Sequence, residues 1–407
     1  MTILYLTYDG LTDPLGQSQI LPYLRGLSER GWRFVVISCE KPAAMRRDGE
    51  AVATICRSSN IKWISVRYHR RPAVFSTIAD LWLMARCAAA AVREHRISLI
   101  HARSYPAALV AGRVGRRGGI PWVFDMRGYW PDERREAGLW PMEHPLYRLI
   151  YWYFKKKEAT FLGGAAHIVS LTHASKAELL ARGLPIPASG VSVIPCAADF
   201  RHFDPERIGQ QERVVRRSEL GIPEGSFVLI YTGSTGTWYL LREMFRFFAF
   251  LTMDRLDAHF LILTTTPAES LEAVAREEGL SAEQLSICRA DRSEMPAYLS
   301  LADLGICLLL PAWSKMASSP VKVGEMMAMG LPVVCNNTGD AGLLIEDGVT
   351  GLLLQDVTPA TLRAAARQAL TTQFAKAETI RTRARAHLDL DQAINAYHDI
   401  YQKTVES

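Results

Sequence analysis

Four stretches of this sequence gather polar and charged groups where they can act on a ligand. The first is SSPVKVGEMMAMGLPVVCNN, Ser318 to Asn337. Ser319 is a favourable N-cap, and Pro320 suits the first helical position, where its missing N–H costs nothing. Gly330 suits the position just past a helix end. The spacing predicts a helix over 320–329 leading into a buried strand after Pro332. The start of that helix offers free backbone N–H groups and a positive dipole end, which favour a phosphate. Ser318, Ser319 and Lys322 add donors and charge. Glu325 follows about a turn and a half further along, among methionines and glycines. A carboxylate in such surroundings is costly unless it accepts hydrogen bonds, and a ribose diol is a good donor pair for it. A surface-facing glutamate on a half-buried helix is the plainer alternative.

The second stretch, DGLTDPLGQSQ (Asp9 to Gln19), follows the first apolar run directly. Two glycines and a proline ahead of a helix suggest a close approach of backbone to ligand, although the dinucleotide glycine spacing is absent. The third is FDMRGYWPDERRE (Phe124 to Glu136), with Asp125 and Arg127 at the end of a strand-like run. Its neighbour IHARSY ends a similar run with His101 and Arg103, of which one is expected to face inward and one outward. Charged groups at the carboxyl ends of strands are well placed for a ligand cleft. A hydrogen-bonded core histidine at 101 and a structural Asp125–Arg127 ion pair are the alternatives. The fourth, YTGSTGTWYL (Tyr231 to Leu240), is a strand, a Gly-rich turn and a helix start. Gly233 and the Thr235–Gly236 backbone would contact phosphates, unless the stretch is a plain tight turn.

The elements that carry these stretches alternate along the chain. TILYLTY, RFVVIS, SLIHAR, PWVFDMRG, AAHIVSLT and VSVIP read as strands, with helical patterns between them. The texture changes near residues 199–222, where DFRHFDPERIGQQERVVRRSELGIP is polar and charged. The alternation then restarts with SFVLIYTG, AHFLILTT, EQLSICR and DLGICLLL, and three helical patterns close the chain. Repeated βα units imply two doubly wound, mostly parallel sheets in tandem, with an interdomain cleft between them. The expected division is 1–200 for the first domain, 201–221 for a linker and 222–389 for the second.

Bulk properties fit this organisation. A chain of 407 residues is long for one core. Seven scattered cysteines look like reduced thiols of a cytosolic protein, and no metal-ligand spacing appears. The first residues read as a strand rather than a leader. The apolar run IADLWLMARCAAAAV carries Asp80 and Arg86 and reads as too short to span a bilayer. The net charge of +5 is divided unevenly, with residues 1–200 carrying 27 Lys and Arg against 16 Asp and Glu. The first half is therefore expected to meet something anionic. The aromatic-basic run YRLIYWYFKKKEATFL (Tyr147 to Leu162) suits an anionic membrane surface, or else an amphipathic core helix with a solvated lysine end.

VKVGEMMAMGLPVVCNNTGDAGLLIEDGVTGLLL (Val321 to Leu354), ADLGICLLL before it and VSVIPCAADFRHFDP (Val191 to Pro205) together resemble glycosyltransferase family 4. DPLGQSQILPYL and FDMRGYWPDE resemble a bacterial branch working on surface polysaccharides. The resemblance implies a GT-B fold of two Rossmann-like domains, with the last helix, about 390–406, crossing back to the first. It implies retaining, metal-independent transfer from a nucleoside-diphosphate sugar, UDP-linked rather than GDP-linked, to a glycan or polyprenyl-diphosphate-linked glycan. It places the diphosphate on Ser318 and Ser319, the ribose on Glu325, and phosphates or acceptor against Gly16. Asp13, Gln17, Arg103 and Arg127 become acceptor candidates, and the place of action is cytoplasmic, peripheral on the inner face of the cell membrane. No nucleic-acid partner is implied.

Two departures stand out. Ala317 occupies the position of a second glutamate that the family uses at the donor sugar, and GSTGTWY lacks the family's Arg and Lys. Lys322 is the nearest substitute, with Arg127, Arg103 and Arg292 behind it. The reading gives Lys322 and the helix start the charge on the leaving diphosphate, and gives Asp125 the acceptor hydroxyl, with Arg127 beside it. A nucleotide-sugar epimerase and a non-catalytic nucleotide-sugar-binding subunit are the alternatives.

Overall fold

A computed structural model describes residues 1–184, 186–187 and 190–406. The chain divides into two compact units, Met1–Pro195 with Leu390–Ser407, and Cys196–Asp389.

The first unit is built on the strands β1 (Thr2–Thr7), β2 (Arg33–Glu40), β3 (Ile61–Arg67), β4 (Ile97–Arg103), β5 (Trp122–Asp125), β6 (His167–Ser170) and β7 (Val191–Val193). They form a parallel sheet in the order β3-β2-β1-β4-β5-β6-β7. Most of these strands are buried along nearly their whole length because helices cover both faces. The edge strand β3 differs, with Lys62 and Arg67 exposed along IKWISVR. Such a broken apolar run hides a strand from sequence patterning. Neither β3 nor the Arg-rich helix Pro42–Ser58 before it was foreseen. The last helix, Leu390–Glu406, belongs to this unit. It packs so closely that a Cβ on Gly26 would lie 2.3 Å from Ile394 Cδ1, and Trp32 donates its indole N–H to His398 at 2.9 Å.

The helix Ala73–Glu94 is longer than its apolar run suggested, and its Val74–Glu94 stretch is long and apolar enough to cross a membrane by length and composition. Asp80 within it is fully buried, accepting from the His69 backbone and ring and from Tyr8.

The second unit contains β8 (Val228–Thr232), β9 (His259–Leu263), β10 (Leu285–Cys288), β11 (Leu304–Cys307), β12 (Val333–Asn336) and β13 (Gly351–Leu354). They run parallel in the order β10-β9-β8-β11-β12-β13. Alternate residues feed two cores, with Ile230, Leu261 and Val333 on one face and Leu229, Phe260 and Val334 on the other. The stretch expected as a linker is part of this unit. Phe200 and Phe203 are buried in its core, and Gln210–Glu219 forms a helix.

In both sheets the strand order reverses, between β1 and β4 and between β8 and β11. Ligands of doubly wound sheets bind beyond the carboxyl ends of the strands at such a reversal. The loops opening at 8, 104, 233 and 308 are therefore where chemistry belongs.

Candidate active site

In the second unit the helix after β11 spans Val321–Ala328. Its C-terminus is as the glycine predicts. Gly330 has φ +79°, its N–H bonds Met327 O, and the Leu331 N–H bonds Met326 O. Its N-terminus differs from expectation. Pro320 rather than Ser319 is the cap residue, and no side chain caps the helix. Ser319 Oγ instead accepts from the Cys196 N–H at 3.2 Å, and the Ser318 N–H is turned back onto Lys315 O at 3.0 Å. The first backbone N–H groups of the helix therefore keep no serine partner of their own.

Lys322 and Glu325 stand three residues apart, on one helix face. Lys322 is buried and donates to the Tyr231 hydroxyl at 2.8 Å, which itself donates to Ser234 O. Its ammonium lies 4.2 Å from the Tyr231 ring centroid and 3.5 Å from that of Tyr239. Two aromatic faces thus hold the cation where no carboxylate does. Burial pushes its pKa down to about 8, with Cys307 and Glu325 pulling the other way. Above it runs the exposed Gly233 turn, with φ +104°. A Cβ at 233 would come within 2.9 Å of Lys322 Nζ. Glycine at this position therefore leaves the ammonium uncovered.

The turn is pinned from beneath. Asn336, at the end of β12, donates to and accepts from the Leu309 backbone at 2.9 and 2.8 Å. Segment 308–310 in turn pairs with 238–240 through Leu240 N to Leu308 O and Leu310 N to Trp238 O. That pairing sets Tyr239 over Lys322, and places Trp238 with its ring centroid 3.7 Å from Lys315 Nζ. Lys315, itself buried, brings a second cation to this end of the sheet. Thr237, β-branched and at φ +47°, holds a conformation that functional loops often keep. Thr235 Oγ1 lies 2.8 Å from Thr266 Oγ1, tying the turn to the loop after β9.

Glu325 is buried, and Arg292 donates to its Oε1 at 3.1 Å. The Arg292 guanidinium also lies 5.5 Å from the Phe203 ring centroid, and its carbonyl faces His202 Nε2 at 2.9 Å. The two residues expected to bind separate parts of a donor are thus a salt-bridged pair. Arg292 matches the carboxylate's charge through Oε1, and Oε2 has no donor among the described residues.

In the first unit, register places Arg103 of β4 beside Asp125 of β5. His101 and Arg103, two residues apart, share one strand face rather than opposite faces. Both reach Asp125 Oδ2, at 3.4 and 3.5 Å, while Arg127 Nη1 lies 3.8 Å from Oδ1. His101, Arg103 and Asp125 are buried and Arg127 is partly buried, and His101 also bonds Tyr401 at 2.7 Å and stacks on Tyr5. Burial lowers the His101 pKa despite Asp125, so the ring is a neutral core histidine. For Asp125, burial raises the pKa, but Arg127, His101 and Arg103 together outweigh it and bring it below the usual value. Asp125 is therefore a carboxylate at neutral pH, and its Oδ1 is buried without a hydrogen-bond partner among the described residues. Ser104 and Arg127 take positive φ, +67° and +58°, at the carboxyl ends of β4 and β5.

The Asp9–Gln19 loop is shaped by a residue the sequence did not flag. Buried Glu40 accepts from Leu11 N at 2.7 Å, from Thr12 N at 3.2 Å and from the Thr12 hydroxyl. A Cβ on Gly10 would meet Glu40 Oε2 at 2.7 Å, and one on Gly16 would meet Gly10 O at 2.1 Å. The close backbone approach expected at Gly16 is made to this loop. Asp13 pairs with exposed Lys41 at 2.9 Å, and Gln17 bonds Thr12 O and Asp48. The structure thus gathers Asp125, Arg103 and Arg127, and separately Lys322, Glu325, Arg292 and Gly233. Tyr231, Tyr239 and Lys315 were missed, although both tyrosines flank the Gly-rich turn. Among the described residues, no group of three or more His, Cys, Asp or Glu is arranged to hold a metal ion.

Comparison with known proteins matches both units. Residues 17–197 match the family described as Glycosyl transferase 4-like domain, and residues 227–372 the family described as Glycosyl transferases group 1. A D-inositol 3-phosphate glycosyltransferase of Streptomyces scabiei (strain 87.22) is 24% identical over 275 residues, 66% of this chain and 59% of the relative. That of Streptomyces griseus subsp. griseus is 24% identical over 324 residues, 74% of this chain and 66% of the relative. The chain thus spans less than two thirds of the length of these relatives. Among solved structures, a glycosyltransferase from Rickettsia africae ESF-5 has a TM-score of 0.73 at 15% identity, covering 100% of this chain and 99% of that one. Anabaena Alr3699/HepE in complex with UDP-glucose has a TM-score of 0.73 at 15% identity, covering 99% and 100%. At that identity the likeness is one of fold.

Proposed function

We propose, for a chain that belongs to the GT-B glycosyltransferase superfamily, the transfer of a sugar from a nucleoside-diphosphate sugar to a hydroxyl of a lipid-linked glycan. The observation that carries the donor assignment is Lys322. It is a buried ammonium held by two tyrosine rings, uncovered at Gly233 and a helical turn from Glu325. A nucleoside diphosphate would lay its phosphates over Gly233 and the first N–H groups of the Val321–Ala328 helix, with Lys322 as counter-charge. The ribose hydroxyls would then donate to Glu325 Oε2, its carboxylate already oriented by Arg292.

Breaking the bond from sugar to phosphate places charge on the leaving diphosphate. A cation already fixed in a partly desolvated setting stabilises that charge without reorganising. In a retaining transfer the leaving phosphate oxygen takes the acceptor proton on the same face. Asp125, ionised and with Oδ1 unfilled, serves as the acceptor for an incoming hydroxyl, and Arg103 and Arg127 hold it in place. UDP is the favoured carrier, in keeping with the UDP-glucose complex of the Anabaena neighbour. Surface-polysaccharide synthesis at the inner face of the cell membrane is the proposed setting. The basic first half and the aromatic-basic helix Pro145–Gly164 support it.

Calorimetric titration of the protein with UDP, GDP and ADP tests the donor site. Binding of one nucleoside diphosphate that is lost in folded Glu325→Ala is the expected result. Affinity unchanged by that substitution removes Glu325 from the ribose and the reading with it. Release of free UDP that depends on an added lipid extract then tests transfer, whereas an isomerised donor without acceptor points to an epimerase.

A further inference from the structure

The first unit carries a groove of about 1960 Å³ that none of the chemistry above uses. One wall is the helix Ala73–Glu94, contributing Val74, Ile78 and Trp82, and the other is Pro145–Gly164, contributing Leu149, Ile150 and Tyr153. Small-molecule sites usually measure 300–1,000 Å³, so this one has more room than a compact small molecule needs. Its apolar side chains are unusually exposed, with Ile78 at 60%, Trp82 at 55% and Leu149 at 68%. Only 28% of the most apolar 18-residue window within Val74–Glu94 is buried. Contiguous exposed apolar surface of this kind marks a binding site.

The charged part of the lining has one sign. Arg70, Arg113, Arg116, Arg134 and Lys157 line the groove, and no Asp or Glu does among the described residues. Arg134 stands apart. Its guanidinium lies 4.6 Å from the Trp130 ring centroid, its Nε is buried without a hydrogen bond, and it makes no ion pair among the described residues. Burial pushes its pKa down, with Glu133 pulling the other way. Tyr8, immediately after β1, lines the groove as well. That end of the groove therefore adjoins the switch-point loop of the unit, near the proposed acceptor groups.

We propose that this groove seats the hydrocarbon chain of the lipid-linked acceptor, with the phosphate or diphosphate that joins chain to glycan bound at Arg134. A largely apolar trough whose charged groups are all basic among the described residues complements an anionic lipid. A peptide would bring backbone N–H and C=O groups that such walls leave unpaired. The inference rests on the lipid-linked acceptor proposed above and adds where that lipid is held.

The test uses the full chain saturated with UDP, so that the donor site is filled. Geranylgeranyl diphosphate is titrated against the fluorescence of the groove tryptophans. Inorganic diphosphate and phosphatidylglycerol vesicles serve as comparison probes. The prenyl diphosphate is expected to bind at least tenfold tighter than inorganic diphosphate. Arg134→Gln, and Leu149→Glu or Ile78→Glu at exposed positions, should each weaken it at least tenfold with UDP affinity unchanged. Wild-type binding in these variants, or binding to vesicles that the prenyl diphosphate does not compete for, overturns the proposal. Prenyl diphosphate binding without sugar transfer to any lipid would retain the groove and remove the reaction. Transfer to a soluble glycan with no prenyl binding would do the reverse.

Discussion

Binding of a nucleoside diphosphate should draw a proton from solution onto Lys322. In the free protein its pKa is about 8, so about half of the molecules carry the ammonium at pH 8 and about a tenth at pH 9. A diphosphate charge about 4 Å away contributes about 4 kcal/mol at an effective dielectric of 20. That corresponds to about three pKa units, enough to hold the lysine charged in the complex throughout this range. Uptake should therefore be about 0.5 proton per nucleotide at pH 8 and about 0.9 at pH 9, and affinity should fall up to tenfold per pH unit above 8. Calorimetry in two buffers of different ionisation enthalpy reads the proton count directly, above the range in which phosphate itself titrates. Lys322→Met should abolish the uptake. Nucleotide binding at pH 9 that is indifferent to buffer, or uptake that survives in Lys322→Met, would refute the assignment of Lys322 to the phosphates.

The other expectations follow from the same contacts. Glu325→Ala removes charged-acceptor hydrogen bonds of about 1.5–3 kcal/mol each, so UDP affinity should drop at least tenfold by calorimetry, and Arg292→Ala should cost less because Glu325 itself remains. Because the folded pKa of Lys322 lies below its value of 10.5 in the unfolded chain, its ammonium weighs against folding below pH 8, and this penalty is relieved as pH rises from about 8 to 10.5. The melting temperature of Lys322→Met should accordingly exceed wild type at pH 7 by more than it does at pH 10, and an equal difference at both pH values contradicts this. Gly16→Ala forces a Cβ to 2.1 Å from Gly10 O, and overpacking of this kind costs about 1–3 kcal/mol; the melting transition of the first unit should shift downward, and an unchanged transition would show that the loop yields freely.

The doubly wound architecture was legible because strands buried on both faces are continuous apolar runs, as in TILYLTY and FVLIY, and each is followed by a helical pattern. Edge strand β3 escaped for the opposite physical reason, exposed Lys62 and Arg67 breaking its apolar run. Of the site, the Gly330 helix end and the apolar surroundings of Glu325 could be read locally, since caps and apolar neighbours lie within a few residues. What could not be read was partnership over distance. Arg292 meets Glu325 across 33 positions, and Tyr231 meets Lys322 across 91. Local rules also misled at Ser319, which by type is a good N-cap but whose hydroxyl is taken by the Cys196 N–H.

The absence of Arg and Lys from GSTGTWY looks, in sequence, like the loss of the charges that a leaving diphosphate needs. On the proposed donor reading those charges are relocated instead. Tyr231 and Tyr239, on either side of that turn, supply π faces, and Trp238 supplies a third. The cations come from the other side of the switch point, Lys322 from the helix and Lys315 from the segment before it. Lys322, seated on two tyrosine rings, pairs with no carboxylate among the described residues, so its charge stays available to a ligand. Burial then makes the ammonium sensitive to what binds beside it, because a desolvated cation gains more from an added anion than a hydrated one does. The turn needs only to be thin enough to expose that charge, which is the part Gly233 plays. On this account, returning a lysine to the turn would not add to the site. Ser234→Lys, placing a second cation beside Lys322, should lower the Lys322 pKa further through like-charge repulsion. The proton uptake should then begin below pH 8, and a titration that stays centred at pH 8 would place the two charges too far apart to share one phosphate.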